Sequence, residues 1–146
     1  MIDSPEIIKI LIDADVDIDT RDMDGYTTLM KTKSPEVAQL LIDAGADVNA
    51  TLPHTITVLM ITDSPEIIRL LVAAGADINA QNIMGETALM RTCSLQKIQT
   101  LIELGADPLI KDNFDMDAFT MFRECDDQDE IDQYLKDLNL KIIDCF

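Results

Sequence analysis

Identical residues return every thirty positions along this chain. Serines stand at Ser4, Ser34, Ser64 and Ser94, glycines at Gly45, Gly75 and Gly105, and leucines at Leu29, Leu59 and Leu89. A fixed period of this length marks a repeat architecture, in which each unit packs only on its neighbours and a single unit cannot bury its own apolar face. The stretch from Ser64 to Met90 holds the fullest copy: an apolar helix, a Gly-Ala-Asp stop, a linker, and Gly-x-Thr-Ala-Leu opening the next helix.

Local chemistry supplies the element boundaries. Ser4, Ser34 and Ser64 are each followed by proline and glutamate. Serine is a good N-cap, and proline at the first helical position gives up an N–H that would be unpaired anyway. This predicts second helices over Pro5 to Ala14, Pro35 to Ala44, Pro65 to Ala74 and Leu95 to Leu104, with apolar residues such as Val37, Leu40 and Leu41 at helical spacing. Gly45, Gly75 and Gly105 are expected to end them in the left-handed conformation; Asp15 holds that place in the first unit and is a poorer fit. First helices of about two turns should follow Thr27, Thr57 and Thr87, reaching Lys33, Asp63 and Cys93. The linkers between units alternate apolar and polar residues and are expected to be extended fingers. In the third finger Thr55 replaces the glycine, so Leu52-Pro53-His54-Thr55-Ile56 should bend differently, and Pro53 excludes a central strand.

The repeated residues resemble the ankyrin family. Gly25-Tyr26-Thr27-Thr28-Leu29 and Gly85-Glu86-Thr87-Ala88-Leu89 are similar to its G-x-T-P/A-L-H signature, and Gly45 to Ala50 and Gly75 to Ala80 to its G-A-D-V-N-A turn. Met30, Met60 and Met90 stand where the family has histidine, so its Thr–His hydrogen bond is absent, and each unit is about three residues short of the usual ~33. Short units of this kind resemble those of bacterial and viral ankyrin proteins, and the C-terminal ankyrin domain of OspC-type arginine ADP-riboxanase effectors. The fold implied is an all-α solenoid of stacked helix-turn-helix units. It divides into a half-repeat at 1–20, repeats at 21–50, 51–80 and 81–110, and a divergent C-terminal capping unit at 111–146.

The two ends differ. Met1 to Asp3 align with Lys31 to Lys33, so the first unit has no first helix, and Ile7, Ile8, Leu11 and Ile12 form an apolar face with nothing before it. A solenoid end normally carries a polar outer face, which points to a piece of a longer protein; a natural start with a degenerate half-repeat is the rival. At the other end, Ile131, Tyr134, Leu135 and Leu138 face inward on a helix over Asp129 to Leu138 whose other side is charged, with Ile142 and Ile143 packing back on it.

Composition narrows the partner. The formal charge of −17 repels nucleic acid and anionic membranes and complements a basic protein, although acid side chains also keep stacked repeats soluble. The core must be aliphatic and methionine-rich, since aromatic residues make up 4% of the chain and tryptophan is absent. Three cysteines without close spacing suggest neither a disulfide framework nor a zinc site, which favours a reducing cytosol, including that of a host cell entered by secretion. No segment approaches the ~18 apolar residues of a membrane span, and the N-terminus lacks a signal-peptide pattern.

Catalysis finds little support. His54 is the single histidine and falls on a finger tip, and no P-loop, dinucleotide fingerprint, HExxH or CxxC is present. Asn113, Asp115, Asp117 and Glu124 follow calcium-loop spacing, but Ala118 stands where that loop needs glycine. The expectation is no enzyme, no cofactor and no metal. The ladder of Asp13, Asp15, Asp17 and Asp19 falls on the Gly-Ala-Asp turn and has the same structural explanation.

The ankyrin resemblance implies that finger tips and first helices form a concave binding face. Its positions here are Met23, Asp24 and Tyr26; Pro53, His54 and Ile56; Ile83, Met84 and Glu86; and Asn113, Phe114 and Met116. Eight of these twelve are apolar or aromatic, as at the centres of protein interfaces rather than on solvated surfaces. The alternative is that neighbouring fingers pack these side chains against one another. Asp19, Asp22, Asp24 and Asp112 would supply an acidic rim that speeds encounter with a basic partner. The function expected is a non-catalytic protein-binding module, in a bacterial effector the part that recognises a host target such as a signalling protein or protease. An acidic inhibitor or immunity-type protein that blocks a basic partner is the second possibility.

Overall fold

A computed structural model describes residues 4–125 and 128–137 of the chain. The second helices are α1 (Pro5–Asp13), α3 (Pro35–Asp43), α5 (Pro65–Ala73) and α6 (Leu95–Glu103). The hydroxyls of Ser34, Ser64 and Ser94 accept from the amides of Val37, Ile67 and Lys97 and cap three of them. Ser4 departs from the expected pattern: its hydroxyl donates to Glu6 and leaves α1 without a side-chain cap. At the far ends, Gly45, Gly75 and Gly105 adopt φ of 92°, 94° and 96°. The next amide then reaches back, as from Ala46 to the Leu41 carbonyl at 2.9 Å, closing the helix in a Schellman turn. Asp15 makes the same turn at φ 56°.

The first helices are shorter than the sequence predicts. They are α2 (Thr28–Lys31) and α4 (Val58–Ile61), and over Ala88 to Arg91 the chain makes only a hydrogen-bonded turn. The short repeat explains this, because within two or three positions of the helix the chain must already be extended to enter the serine N-cap of the next one, at Ser34, Ser64 or Ser94. Thr32 and Thr92 hold that extension, each accepting the amide of the serine two residues on at 3.1 Å. Methionine partly replaces the expected histidine: the Met30 sulfur accepts the Thr27 amide at 3.5 Å while the Thr27 hydroxyl accepts from Met30.

The all-α expectation also needs correction at the third finger. Thr51–Leu52 (β1) and Ile56–Thr57 (β2) form a short antiparallel hairpin in which Thr51 faces Thr57 and Leu52 faces Ile56. Leu52 is the cause. In the other fingers this position is Asp22, Asn82 or Asp112, and each Oδ1 accepts two backbone amides, two and four residues on, to close the tip. Leucine cannot do so, and its β-forming neighbours pair instead across a 3₁₀ turn at Pro53–Thr55, with His54 and Thr55 at positive φ.

The last unit contributes α7 (Ala118–Phe122) and α8 (Gln128–Asp137). Ile131 and Leu135 of α8 are buried as predicted and Tyr134 is half-buried; Leu138, Ile142 and Ile143 lie outside the described residues. The second helices pack in series, α1 on α3, α3 on α5 and α5 on α6, while α2 lies against α3 and α4. One continuous core results, built from Ile8, Leu41, Ile68, Leu71, Leu101 and their repeat-related neighbours.

The turns behind the helices are joined by side-chain amides and carboxylates. Asp47 N donates to the Asp19 carboxylate, Asp77 N to Asn49 Oδ1, and Asp107 N to Asn79 Oδ1. The next position in this ladder is Leu109, which is exposed. The acidic ladder of the first turn is thus structural: Asp17 Oδ1 accepts the Asp19 amide, and Asp19 reaches the next unit. Among the described residues, no helix is long and apolar enough to cross a membrane.

Candidate functional site

The tips of the last three fingers are fastened in series. Ile83 N donates to the His54 carbonyl at 3.1 Å, and Asn113 N to the Met84 carbonyl at 2.9 Å. Asn113 Nδ2 adds a bond to the Ile83 carbonyl. Two side chains not anticipated from the sequence brace the finger stems. Arg21 donates to the carbonyls of Gly25 and Thr51, and Gln81, its counterpart sixty residues on, donates to those of Gly85 and Lys111. Their common place in the repeat was the available signal. Between the fingers of Gly85 and Asn113 the approach is closest: a Cβ on Gly85 would lie 2.8 Å from the Asn113 amide nitrogen.

On this frame the twelve predicted positions separate into two groups. Met23, Ile83, Met84 and Phe114 project into solvent, at 103%, 56%, 45% and 65% exposure. Asp24, Pro53, His54 and Asn113 are exposed beside them. Tyr26, Ile56, Glu86 and Met116 are only half-buried or partly accessible, because neighbouring elements cover them. The Tyr26 ring carries the Lys31 ammonium 5.2 Å from its centre, and Lys31 also pairs with Asp22. That hydrogen bond holds the Asp22 carboxyl below, and the Lys31 ammonium above, their ordinary values. Glu86 Oε2 accepts from both Asn82 and Arg91 at 2.7 Å. Neighbouring elements thus pack the side chains at the finger stems, and the tips are exposed.

The acidic rim is smaller than predicted. Asp112 is buried and engaged with two backbone amides, so it closes its own finger. The calcium-like spacing is likewise taken up locally. Asn113 binds the preceding finger, Asp115 pairs with Lys111, and Asp117 caps α7 through the Thr120 amide and hydroxyl. Among the described residues no three metal-ligating side chains gather in one place.

Two buried features escaped the sequence reading. Lys97 takes the place of Val37 and Ile67 in the repeat yet is 1% exposed. Its ammonium reaches the Met60 carbonyl at 3.3 Å and Asp63 Oδ1 at 3.5 Å. Burial lowers its pKa from the ordinary lysine value, and Asp63 opposes that fall. The second is a disulfide between Cys93 and Cys125, which corrects the expectation of unpaired cysteines. Their separation of 32 residues is one repeat plus two, so stacking brings the two Cα atoms to 5.4 Å.

Thirty-residue units, glycine-ended helices and finger tips joined in series agree with what the comparisons found. A family model described as ankyrin repeats (3 copies) matches residues 31–112, more than half of the chain. A comparison with curated proteins found no match. Ankyrin repeats are in general modules of protein–protein interaction, typically without catalytic activity. The chain belongs to the ankyrin-repeat family.

Proposed function

We infer that this chain binds a folded protein through its finger tips and is not itself an enzyme. The observation that carries this reading is the set of exposed apolar tips, Met23, Ile83, Met84 and Phe114, on fingers each tied to a neighbour by hydrogen bonds, through the Arg21 side chain for the finger of Met23 and through backbone amides for the others. A finger backbone already held by hydrogen bonds loses little further freedom on docking, so more of the burial of these side chains appears as affinity. With a formal charge of −17, the complementary partner presents a basic rim around an apolar centre. The role that fits this reading is recognition of a host protein, a signalling protein or protease, by a bacterial effector.

The test is capture from a eukaryotic lysate, comparing the chain with a Met23/Met84/Phe114 triple alanine variant whose fold is checked by circular dichroism. A protein retained by the first and lost by the second supports the reading. Equal capture by both removes the tips as the site. The high negative charge favours a second role, inhibition of a basic partner, and capture lost at moderate salt but unaffected by the three alanines would select it.

A further inference from the structure

The two sulfurs of the Cys93–Cys125 bond differ in their access to solvent. Cys93 occupies a position of the repeat that holds Lys33, Asp63 and Arg123 in the other units, and all four residues are exposed. It lies outside the helices, directly ahead of Ser94, which caps α6. Cys125, three residues past the end of α7, is only 7% exposed. Its Sγ is 3.9 Å from the Met121 carbonyl oxygen, one helical turn back. The bond therefore fastens the last unit to the third repeat through one open sulfur and one covered sulfur.

The structure assigns Cys93 as a thiol-exchange site, open to a low-molecular-weight thiol such as glutathione, through which the last unit is latched and released. In such exchange a thiolate attacks one sulfur and expels the other, and access helps to decide which is attacked. The incoming thiolate forms its bond to the exposed Cys93 Sγ. The electron pair of the S–S bond leaves on Cys125 Sγ, which takes a proton from solvent, and the new S–H is placed to donate to the Met121 carbonyl. A second thiol displaces Cys93 from this adduct. Two small thiols are thereby oxidised to their disulfide while the protein disulfide is reduced to two thiols. The reverse steps, starting from the oxidised small disulfide, close the latch. The finger of Phe114 is held separately, by the bonds from Asn113 to the Met84 and Ile83 carbonyls, so opening loosens α7 and α8 and leaves that tip in place.

Cys145 lies outside the described residues and is replaced throughout, as Cys145→Ser, so that it takes no part in the exchange. The chain, purified without reductant, is mixed with reduced glutathione, acid-quenched at early times and mapped by peptide mass spectrometry. Glutathione is expected on Cys93 over Cys125 by at least about tenfold. A second measurement separates access from intrinsic reactivity. With oxidised glutathione, the Cys125→Ser chain, which keeps Cys93, should form its adduct at least about tenfold faster than the Cys93→Ser chain in buffer, and at a similar rate in urea. Hydrogen exchange of the opened parent should quicken at α7 and α8 and stay unchanged at α3 and α5. Adducts shared equally between the two cysteines or favouring Cys125 would overturn the proposal. So would two free thiols in the chain as purified, or exchange at α7 and α8 that does not respond to opening.

Discussion

Replacing Gly85 by alanine tests how closely the fingers are stacked. Gly85 sits at φ 80°, where an L-residue is strained by about 1–2 kcal/mol. The added Cβ would also lie 2.8 Å from Asn113 N, 2.9 Å from Asn113 Oδ1 and 2.9 Å from Asp112 Cα. Two of those atoms belong to the backbone, so no side-chain rotation relieves the contact. The finger carrying Asn113 must retreat, loosening the bonds from Asn113 to the Met84 and Ile83 carbonyls. At about 1 kcal/mol each, these bring the expected loss to about 3–4 kcal/mol. Gly75→Ala is the control: its φ is 94°, but nothing lies within 4 Å of the new Cβ, so only the conformational strain of about 1–2 kcal/mol applies. Gly25→Ala should resemble it, because the nearest atom, Pro53 Cδ, is an ordinary 3.7 Å away. Urea unfolding of the three variants, compared at unchanged slope, reads the differences directly. Equal losses in Gly85→Ala and Gly75→Ala would refute the argument that finger contact, rather than local strain, sets the cost.

Lys97→Met should stabilise the chain at neutral pH by about 1–2 kcal/mol, since a buried charge is exchanged for an apolar side chain of similar length. Because burial lowers the folded pKa of Lys97 below its ordinary 10.5, the unfolded chain holds more protons between those two values. Stability of the parent therefore rises with pH through that window, and urea midpoints should show the advantage of Lys97→Met shrinking there. Thr57→Val should be neutral or stabilising by up to about 1 kcal/mol, because the buried Thr57 hydroxyl has no hydrogen-bond partner and caps nothing. The same change at Thr27, whose hydroxyl accepts the Met30 amide, should cost about 1 kcal/mol; thermal melts of both decide it. Opening the Cys93–Cys125 bond with a thiol reductant should lower unfolding free energy by about 3–4 kcal/mol, from the loop of roughly 30 residues that it closes. A Cys93→Ser/Cys125→Ser variant should match the reduced chain and no longer respond to reductant.

The second helices were legible in the sequence because serine, proline and glycine act locally: their caps and stops lie within a few residues of the positions that specify them. The apolar tips were legible for a related reason, since Met23, Ile83, Met84 and Phe114 fall at the variable positions of an otherwise repeated unit. What was missed depends on backbone closure within a finger or on contacts one repeat away. Asp112 reads as a surface carboxylate until the backbone amides of Phe114 and Met116 are placed around it. The hairpin of the third finger follows from the absence of that closure at Leu52, a consequence visible only once the other fingers are seen to share it. Cys93 and Cys125 have no motif between them, but stacking at nearly one period makes them neighbours. The burial of Lys97 was open to inspection, since it interrupts a column that reads Val37 and Ile67 in earlier units.

Partner binding through the finger tips is tested most directly by affinity. For the protein captured by this chain, the dissociation constant would be measured against the parent and against the Met23/Met84/Phe114 triple alanine variant at one salt concentration. Exposed anchors at an interface centre are each worth about 2 kcal/mol or more when truncated, so the variant should bind at least about a hundredfold more weakly with its fold intact. Affinities within about threefold of each other, a difference under about 0.7 kcal/mol, would contradict the account and place the partner elsewhere on the surface.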